Sequence, residues 1–102
     1  MTAQKYQELL RKYDVSPGEL WYYGLGLAGE SGEVVDKIKK FYRDGEPSSL
    51  QPLLNELGDA LWYLTRIASY FSRTLEDIMD INIQKLEDRK LRDVLHGSGD
   101  NR

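Results

Sequence analysis

The chain has 102 residues, of which 30% are charged and 40% are apolar or aromatic, a composition typical of one globular domain with a modest core. Its net charge of −3 argues against broad binding of nucleic acid or anionic membranes, which requires a basic surface. The absence of cysteine excludes disulfides and thiolate metal sites. The chain contains no apolar run of about 20 residues and no basic segment before an apolar run at its start, so we expect a cytoplasmic protein outside the membrane.

The first half of the chain predicts two helices. The first covers about 2–13, where aromatic and aliphatic residues recur at helical spacing: Tyr6, Leu9, Leu10 and Tyr13. The sequence Ser-Pro-Gly-Glu at 16–19 has the form of a capping box with proline in the first helical position, which predicts the start of a second helix. This helix is predicted to end near Arg43, because residues 44–47 supply a glycine terminator and a proline.

The second half of the chain predicts two more helices. The third opens near Ser48 or Ser49, ends before Arg73 and carries an apolar stripe: Leu50, Leu53, Leu54, Leu57, Leu61, Leu64, Ala68 and Phe71. A second capping-box pattern, Thr-Leu-Glu-Asp at 74–77, predicts the start of a fourth helix. This last helix is expected to extend to about Arg92.

The predicted fold class is all-α. Neither an internal repeat nor an alternation of β-branched and polar residues supports a sheet, so we expect a helical bundle of about four helices. The bundle forms one domain over 1–96. Residues 97–102 are predicted to be a disordered tail, because they carry nothing to bury.

Two acidic motifs with the same spacing lie in the second and third predicted helices: Glu30-Ser-Gly-Glu33 and Glu56-Leu-Gly-Asp59. A spacing of three residues places both carboxylates of each motif on one flank of its helix. If the two flanks face each other, the four carboxylates repel at pH 7 unless a cation lies between them, and hard oxygen ligands favour Mg²⁺ or Mn²⁺. The alternative is an ordinary solvated face, since exposed glutamate is common.

Five glycines interrupt the segments around these motifs. Each costs roughly 1 kcal/mol of helix stability relative to alanine. The close approach of a neighbouring helix or of a ligand would offset that cost, and tight helix packing without a ligand explains any single glycine equally well. The positions are Gly24, Gly26, Gly29, Gly32 and Gly58.

The fourth predicted helix carries a polar row in or beside its apolar sector, formed by Asn82, Lys85 and Arg89. Polar groups in such a sector need partners. Two cations and an amide suit phosphate oxygens, because they supply charge together with neutral donors and acceptors. The alternative is that the two basic side chains bury their stems and reach solvent near the helix end.

These segments resemble the MazG-like, all-α nucleoside triphosphate pyrophosphohydrolase superfamily, whose signature is ExxE followed, after a helix and a loop, by ExxD. Residues 25–37 resemble the first motif helix, and residues 55–63 resemble the second. Residues 82–89 resemble the third element of the family, a helix with Asn, Lys and Arg that contacts substrate phosphates. The resemblance covers about 24–89, which is most of the chain.

The resemblance implies hydrolysis of a nucleoside or deoxynucleoside triphosphate to the monophosphate and pyrophosphate, with Mg²⁺, or alternatively Mn²⁺, as the cofactor. It implies four carboxylate ligands for the metal: Glu30, Glu33, Glu56 and Asp59. Glu30 and Glu33 are the catalytic candidates, and the general base stays open between Glu30, Glu33 and neither of them. The implied phosphate contacts are Asn82, Lys85 and Arg89. The candidates for stacking on the base are Trp21, Trp62 and Tyr63, for which core or subunit packing is the alternative role.

Other classes of helical protein share some of these features. A carboxylate-bridged di-iron bundle uses Glu-x-x-His ligand pairs, and the one histidine, His96, lies near the tail, which disfavours that class. A non-catalytic helical interaction module stays open. Within the enzymes, the alternative is phosphoribosyl-ATP pyrophosphohydrolase, which has similar acidic helices.

The start of the second predicted helix is apolar on nearly every side, through Leu20, Trp21, Tyr22, Tyr23, Leu25 and Leu27. One bundle of this size has too little interior to cover all of them. Because an uncovered aromatic patch marks a contact surface, we expect a homo-oligomer, either a dimer or a tetramer. The resemblance points the same way, since members of the family assemble four-helix units from paired chains.

Overall fold

The computed structural model describes residues 1–96, with side chains described through residue 94. Within that range the chain forms four helices and no strand: α1 Ala3–Tyr13, α2 Leu20–Asp44, α3 Gln51–Tyr70 and α4 Leu75–His96. The all-α prediction with four helices is confirmed. The predicted tail, 97–102, lies outside the described residues. None of the four helices combines the length and the apolar character needed to cross a membrane.

The predicted start of the second helix is wrong. Residues 16–19 form a loop, and α2 begins only at Leu20, after Glu19, whose side chain makes no capping hydrogen bond. The Ser16 hydroxyl instead accepts the N–H of Gly18 at 3.2 Å, and Gly18 has φ +75, a left-handed conformation that glycine adopts without strain. A capping-box pattern therefore failed here because its serine serves a tighter local turn.

The second capping-box prediction is confirmed. The backbone N–H of Asp77 donates to the Thr74 hydroxyl at 3.0 Å, and the N–H of Thr74 donates to the Asp77 carboxylate at 3.0 Å. These reciprocal bonds satisfy donors that the first turn of a helix leaves without partners. The helix that follows, α4, ends at His96, about one turn beyond the predicted end at Arg92.

The helices α2 and α3, which are joined by residues 45–50, form the most extensive contact in the chain. The first helix packs against α3 and α4. The fourth helix contacts α1 and α3 and has no packing contact with α2 in the described part of the chain. The chain therefore builds its principal interface from the two helices that carry the acidic motifs.

The buried core lies along α3, where that helix packs against α1, the start of α2 and the start of α4. Among the described side chains, the buried ones are Leu10, Tyr23, Thr65, Ala68 and Leu75. The predicted apolar stripes of α2 and α3 otherwise remain substantially exposed in the single chain, including Ile38, Phe41, Leu50, Leu54, Leu57, Leu61, Leu64 and Phe71. The interior of one chain is thus smaller than the periodicity predicts, because no element of the described chain covers the outer part of these stripes.

Gln7 of α1 fixes the corner between α3 and α4. Its amide nitrogen donates to the Ser69 hydroxyl and to the Arg73 carbonyl, both at 2.9 Å. Its amide oxygen accepts the N–H of Leu75 at 2.9 Å, one of the free donors at the start of α4. A single side chain therefore sets the point at which α4 leaves the rest of the molecule.

Candidate metal and nucleotide site

Three carboxylates from two helices converge in the α2–α3 interface. Glu30 lies on α2, and Glu56 and Asp59 lie one turn apart on α3. One oxygen of each lies within 4.8 Å of the others. Glu30 and Glu56 are half-buried, and Asp59 is exposed. We call these three residues the carboxylate group. It brings together three of the four metal ligands that the resemblance implies.

The carboxylate group carries concentrated negative charge. Burial raises the pKa of Glu30, and a hydrogen bond with Glu56 together with the charges of Asp59, Glu56 and Glu33 raises it further. The negative charge of these carboxylates also acts on two tyrosines, Tyr6 and Tyr63. Burial followed by the charge of Asp59 raises the pKa of Tyr6 on α1. Carboxylates held this close favour either a shared proton or a cation.

Glu33, the fourth predicted ligand, lies one turn beyond Glu30 on α2 and is exposed. Its carboxylate does not belong to the carboxylate group, although its charge contributes to the raised pKa of Glu30. The two glutamates occupy the same flank of α2, as the spacing of three residues predicts.

A pocket of about 360 Å³ opens directly beside the carboxylate group, with Glu30 and Asp59 in its wall. The rest of the wall comes from the end of α1, the loop after it, and aromatic side chains of α2 and α3: Tyr13, Asp14, Val15, Ser16, Tyr22, Trp62 and Tyr63. Two predicted base-stacking residues, Trp62 and Tyr63, therefore do line a pocket beside the carboxylates. The third candidate, Trp21, is 61% exposed and is not part of this wall.

Tyr63 lines the pocket and lies within the electrostatic influence of the carboxylates. A hydrogen bond with Tyr22, followed by burial and by the charges of Glu30 and Asp59, raises the pKa of Tyr63. Its ring lies edge-on to that of Trp62 at 4.9 Å between centroids and tilted against Tyr22 at 6.1 Å. The pocket is therefore lined both by packed aromatic rings and by the carboxylates of Glu30 and Asp59.

Gly26 explains why the Tyr63 ring can occupy this place. A Cβ built on Gly26 would lie 2.2 Å from Cε1 and 2.4 Å from Cζ of Tyr63, closer than two non-bonded carbon atoms can lie. Helix α2 therefore needs glycine where α3 presses an aromatic ring against its backbone. At Gly24, Gly29, Gly32 and Gly58 an added Cβ would meet nothing within 4 Å, so close packing within the chain accounts for only one of the five predicted positions.

The structure adds residues to the site that the sequence does not predict there: the pocket wall includes Tyr13, Asp14, Val15, Ser16 and Tyr22. The charge of Asp59 also acts on Tyr6. Ser16 lies in the segment that the sequence predicts as a helix start, and Asp14 lies just before it. The pairing of an Asx-type residue with serine two positions later was a usable signal for a loop.

The polar row of α4 is not brought to the carboxylate group within one chain. Asn82 and Lys85 are exposed and Arg89 is half-buried. None of them lines the pocket, and α4 does not pack on α2 in the described part of the chain. Their predicted role as phosphate ligands stays a prediction.

A family model and one known protein match most of the chain. The family model of the MazG nucleotide pyrophosphohydrolase domain matches residues 22–92. The chain is also similar to the Gene 37 protein of Mycobacterium phage L5, with 41% identity over 87 residues that cover 81% of this chain and 76% of that protein. No solved structure matches the chain. The matched range contains the carboxylate group and the aromatic side chains of α2 and α3, whereas α1 and the loop after it lie outside it.

Proposed function

Because the chain belongs to the MazG nucleotide pyrophosphohydrolase family, we propose that it hydrolyses a nucleoside triphosphate, with ribose or deoxyribose, to the monophosphate and pyrophosphate. The observation that carries this proposal is that Glu30 and Asp59 of the carboxylate group line the same pocket as aromatic side chains. Such a site suits a ligand that is anionic and cation-bound at one end and aromatic at the other.

The carboxylate group fits a hard divalent cation. Three carboxylate oxygens within 4.8 Å form a donor set that Mg²⁺ prefers, with Mn²⁺ as the alternative ion. Burial, followed by the hydrogen bond with Glu56 and the charges of the neighbouring carboxylates, raises the pKa of Glu30, and a bound cation would offset those charges. When bound, the cation would supply charge neutralisation for the triphosphate and activation of the attacking water. Glu30, Glu56 and Asp59 would hold it, and Glu33 would be a fourth ligand only if it does not serve as the general base.

The general base is proposed to be Glu33 or Glu30, both on α2. Glu33 is exposed and lies outside the carboxylate group, so its oxygens are available to accept a proton from water. Glu30 shares a hydrogen bond with Glu56, which engages it more fully with the other carboxylates. This difference favours Glu33 as the base and Glu30 as the ligand.

The two ends of the substrate are assigned to different surfaces. Trp62 and Tyr63, which line the pocket, are proposed to contact the base and the sugar. The phosphate oxygens are assigned to the polar row of α4: Asn82, Lys85 and Arg89. An arginine and a lysine with an amide are suited to phosphate because they donate charge-assisted hydrogen bonds.

A homo-oligomer, either a dimer or a tetramer, is the proposed functional state. The start of α2 exposes Trp21 and Leu25 by 61% and 68%, and α4 leaves a row of aliphatic side chains uncovered: Ile78, Met79, Ile81, Ile83, Leu86, Leu91 and Val94. Exposed apolar surface of this extent supports a contact between chains. Since α4 does not pack on its own α2, a second copy is proposed to bring its α4 to the carboxylate group.

Release of pyrophosphate from a panel of standard and modified nucleoside triphosphates, with phosphoribosyl-ATP included, tests the proposed activity. We expect turnover only with Mg²⁺ or Mn²⁺, and its loss in Glu56→Gln, which keeps the shape of the side chain and removes a charged ligand. The matched control is Glu46→Gln, in the exposed loop between α2 and α3. Activity on phosphoribosyl-ATP alone would establish that alternative, and no turnover on any compound would favour an interaction module.

Light scattering on the untagged protein tests the proposed assembly. Trp21→Glu should give smaller particles and lower activity together, because a charge in an apolar contact costs desolvation energy that nothing offsets. Tyr42→Glu serves as the control, since Tyr42 is 83% exposed at the opposite end of α2. A wild-type protein that is fully active as a monomer of 11.8 kDa would contradict the proposal.

A further inference from the structure

The loop over residues 14–19 forms one side of the pocket beside the carboxylate group. Asp14, Val15 and Ser16 contribute to the pocket wall, and this loop lies before the range that the family model matches. Val15 is 98% exposed, an unusual position for an aliphatic side chain at the rim of an aromatic pocket. The loop therefore presents to the pocket a surface that the family match does not account for.

Asp14 anchors this loop to both motif helices. Its side chain is only 7% exposed. One carboxylate oxygen accepts the N–H of Ser16 at 2.9 Å, which closes a turn within the loop. The other accepts the hydroxyl of Tyr23 on α2 and the Nε–H of Arg66 on α3, the latter at 2.8 Å. The Ser16 hydroxyl also donates to the Tyr23 oxygen at 3.3 Å.

Both carboxylate oxygens of Asp14 have hydrogen-bond partners within the protein, so its charge needs no ligand. Burial of the Asp14 carboxyl raises its pKa, but the hydrogen bonds from Ser16, Tyr23 and Arg66 outweigh that effect and hold the pKa at about 2. The Arg66 guanidinium also lies over the Tyr23 ring, 5.6 Å from its centroid. Asp14 is therefore charged at neutral pH, and its charge is used on α2 and α3 rather than on a metal or a substrate.

Moving one partner away from a buried ion pair leaves an uncompensated buried charge, which is strongly unfavourable, so the pair of Asp14 and Arg66 disfavours other positions of the loop. Tyr23 and Arg66 hold Asp14, and Asp14 holds the turn that presents Val15 and Ser16 to the pocket. The same pocket is lined by aromatic side chains and by two members of the carboxylate group, Glu30 and Asp59. With the phosphates placed at the carboxylates, the nucleoside would lie between Trp62 and this loop.

We propose that Asp14 is a positioning residue that, through Tyr23 and Arg66, fixes the loop 14–19 as the wall against which the nucleoside end of the substrate binds, with Val15 as the side chain in contact. This inference rests on the proposed function. It assigns selectivity for the nucleoside to a segment outside the matched family range. It also predicts that Asp14 affects binding of the nucleoside and not binding of the phosphates, because Asp14 bonds to neither the carboxylate group nor the polar row of α4.

Steady-state kinetics on the best nucleoside triphosphate substrate tests the inference, with inorganic pyrophosphate as a competitor that lacks a nucleoside. In Asp14→Asn we expect KM to rise about tenfold, equivalent to roughly 1.4 kcal/mol of binding, with kcat changed less than KM. The inhibition constant of pyrophosphate should stay the same. The matched control is Asp44→Asn, whose partner Arg43 also lies 2.7 Å away but on the exposed end of α2.

Val15→Ser provides a variant that does not depend on the anchor for folding, because the Val15 side chain is almost fully exposed. It should raise KM for the nucleotide, change the ranking of bases in the substrate panel, and leave pyrophosphate inhibition unchanged. Unchanged KM and unchanged base ranking in Val15→Ser would overturn the inference, whether or not Asp14→Asn folds. Equal weakening of nucleotide and pyrophosphate in Asp14→Asn would also overturn it. A wild-type protein that hydrolyses nothing in the panel would refute the proposed function itself.

Discussion

The α2–α3 pair and α4 differ in how completely one chain covers them. Between α2 and α3 the chain buries Tyr23, Thr65 and Ala68 and closes a polar network around Asp14 with partners for each carboxylate oxygen. In contrast, Leu75 is the one buried apolar side chain among those described in α4, and the aliphatic row beyond it is about half exposed or more. The part of the α2–α3 interface around Asp14 is complete within the chain, whereas α4, like the outer stripes of α2 and α3, presents surface without a partner in the same chain.

The difference separates two kinds of contribution to the site. Residues that one chain brings together, namely the carboxylate group and the pocket, have contacts that fix their geometry. The polar row of α4 has a role that depends on something beyond the single chain. Variants in the carboxylate group and the pocket should therefore change chemistry without changing assembly, whereas the effect of variants in the polar row of α4 should depend on the partner chain. The four expectations below test that separation, from the largest effect to the smallest.

Gly26→Ala should have the largest effect, because its Cβ would overlap the Tyr63 ring and push it away from the carboxylates. We expect kcat/KM to fall about 100-fold, or roughly 2.7 kcal/mol in activation free energy, with an overpacking cost to stability of about 1–3 kcal/mol. Gly24→Ala is the control, since its Cβ would meet nothing within 4 Å. That variant should be as active as the wild type and as stable or more stable, by up to about 1 kcal/mol. Equal activity of both variants would show that the position of Tyr63 does not matter.

Acid should weaken the anchor of the loop. The pKa of Asp14 in the folded protein is about 2, below its ordinary value of 3.8, so its contribution to stability is complete above pH 4 and is lost as the pH falls through about 2. The full contribution is about 2 kcal/mol, of which about 1 kcal/mol should be lost by pH 3.

The measurement is chemical denaturation of the wild type and Asp14→Asn at pH 6 and pH 3. The difference in free energy of unfolding between the two proteins should shrink in acid. Asp44→Asn, at an exposed pair, should show a weaker dependence because solvent screens that pair. A difference that is constant from pH 6 to pH 3 would contradict the proposed network.

Subunit mixing tests whether α4 serves the carboxylate group of a partner. Lys85→Ala should lower kcat/KM about tenfold through the loss of one charge-assisted contact to phosphate, and its melting temperature should match that of the control Lys90→Ala on the same exposed helix. Mixing Lys85→Ala with Glu56→Gln after dissociation should restore part of the wild-type activity. Restoration requires that one chain supplies the carboxylates and the other supplies Lys85. Mixed samples no more active than the sum of their components would place both functions in one chain.

Cation binding should give the smallest effect. Mg²⁺ at about ten times its dissociation constant should stabilise the protein by roughly 1.4 kcal/mol, which corresponds to an increase of several degrees in melting temperature for a domain of this size. Glu56→Gln should reduce that increase. Without Mg²⁺, the same variant should melt no lower than the wild type, because it removes one of the charges that repel Glu30. An equal shift in both proteins would remove Glu56 from the binding site.

Helical periodicity predicted the fold well where local signals and packing agree. The Thr74 capping box is an example, since both of its hydrogen bonds lie within one turn. The same pattern failed at Ser16, because Asp14 and Tyr23 compete for that segment through contacts that local sequence does not reveal. Helix boundaries can therefore be predicted from the local sequence where no contact from another segment competes for the same residues.

The carboxylate group was predictable from sequence because its members repeat at helical spacing on two elements that are neighbours along the chain. The pocket was predictable only in part. Trp62 follows its motif directly, whereas Asp14 reaches the site from another element through Arg66, 52 positions away. No periodicity encodes that pairing. Exposure was predicted at the apolar start of α2 but not along α3, since periodicity gives the direction of a face and not what covers it.

The hydrogen bonds of Gln7 have a consequence for the order of folding. Its contact with Leu75 joins residues 68 positions apart, and its contact with Ser69 spans 62, whereas the α2–α3 hairpin can form from neighbouring segments. Contacts between distant residues require the closure of a long loop, and they slow folding. We therefore expect the hairpin to form first and α1 to dock last, so that the corner with α4 acquires its fixed direction only in the final step.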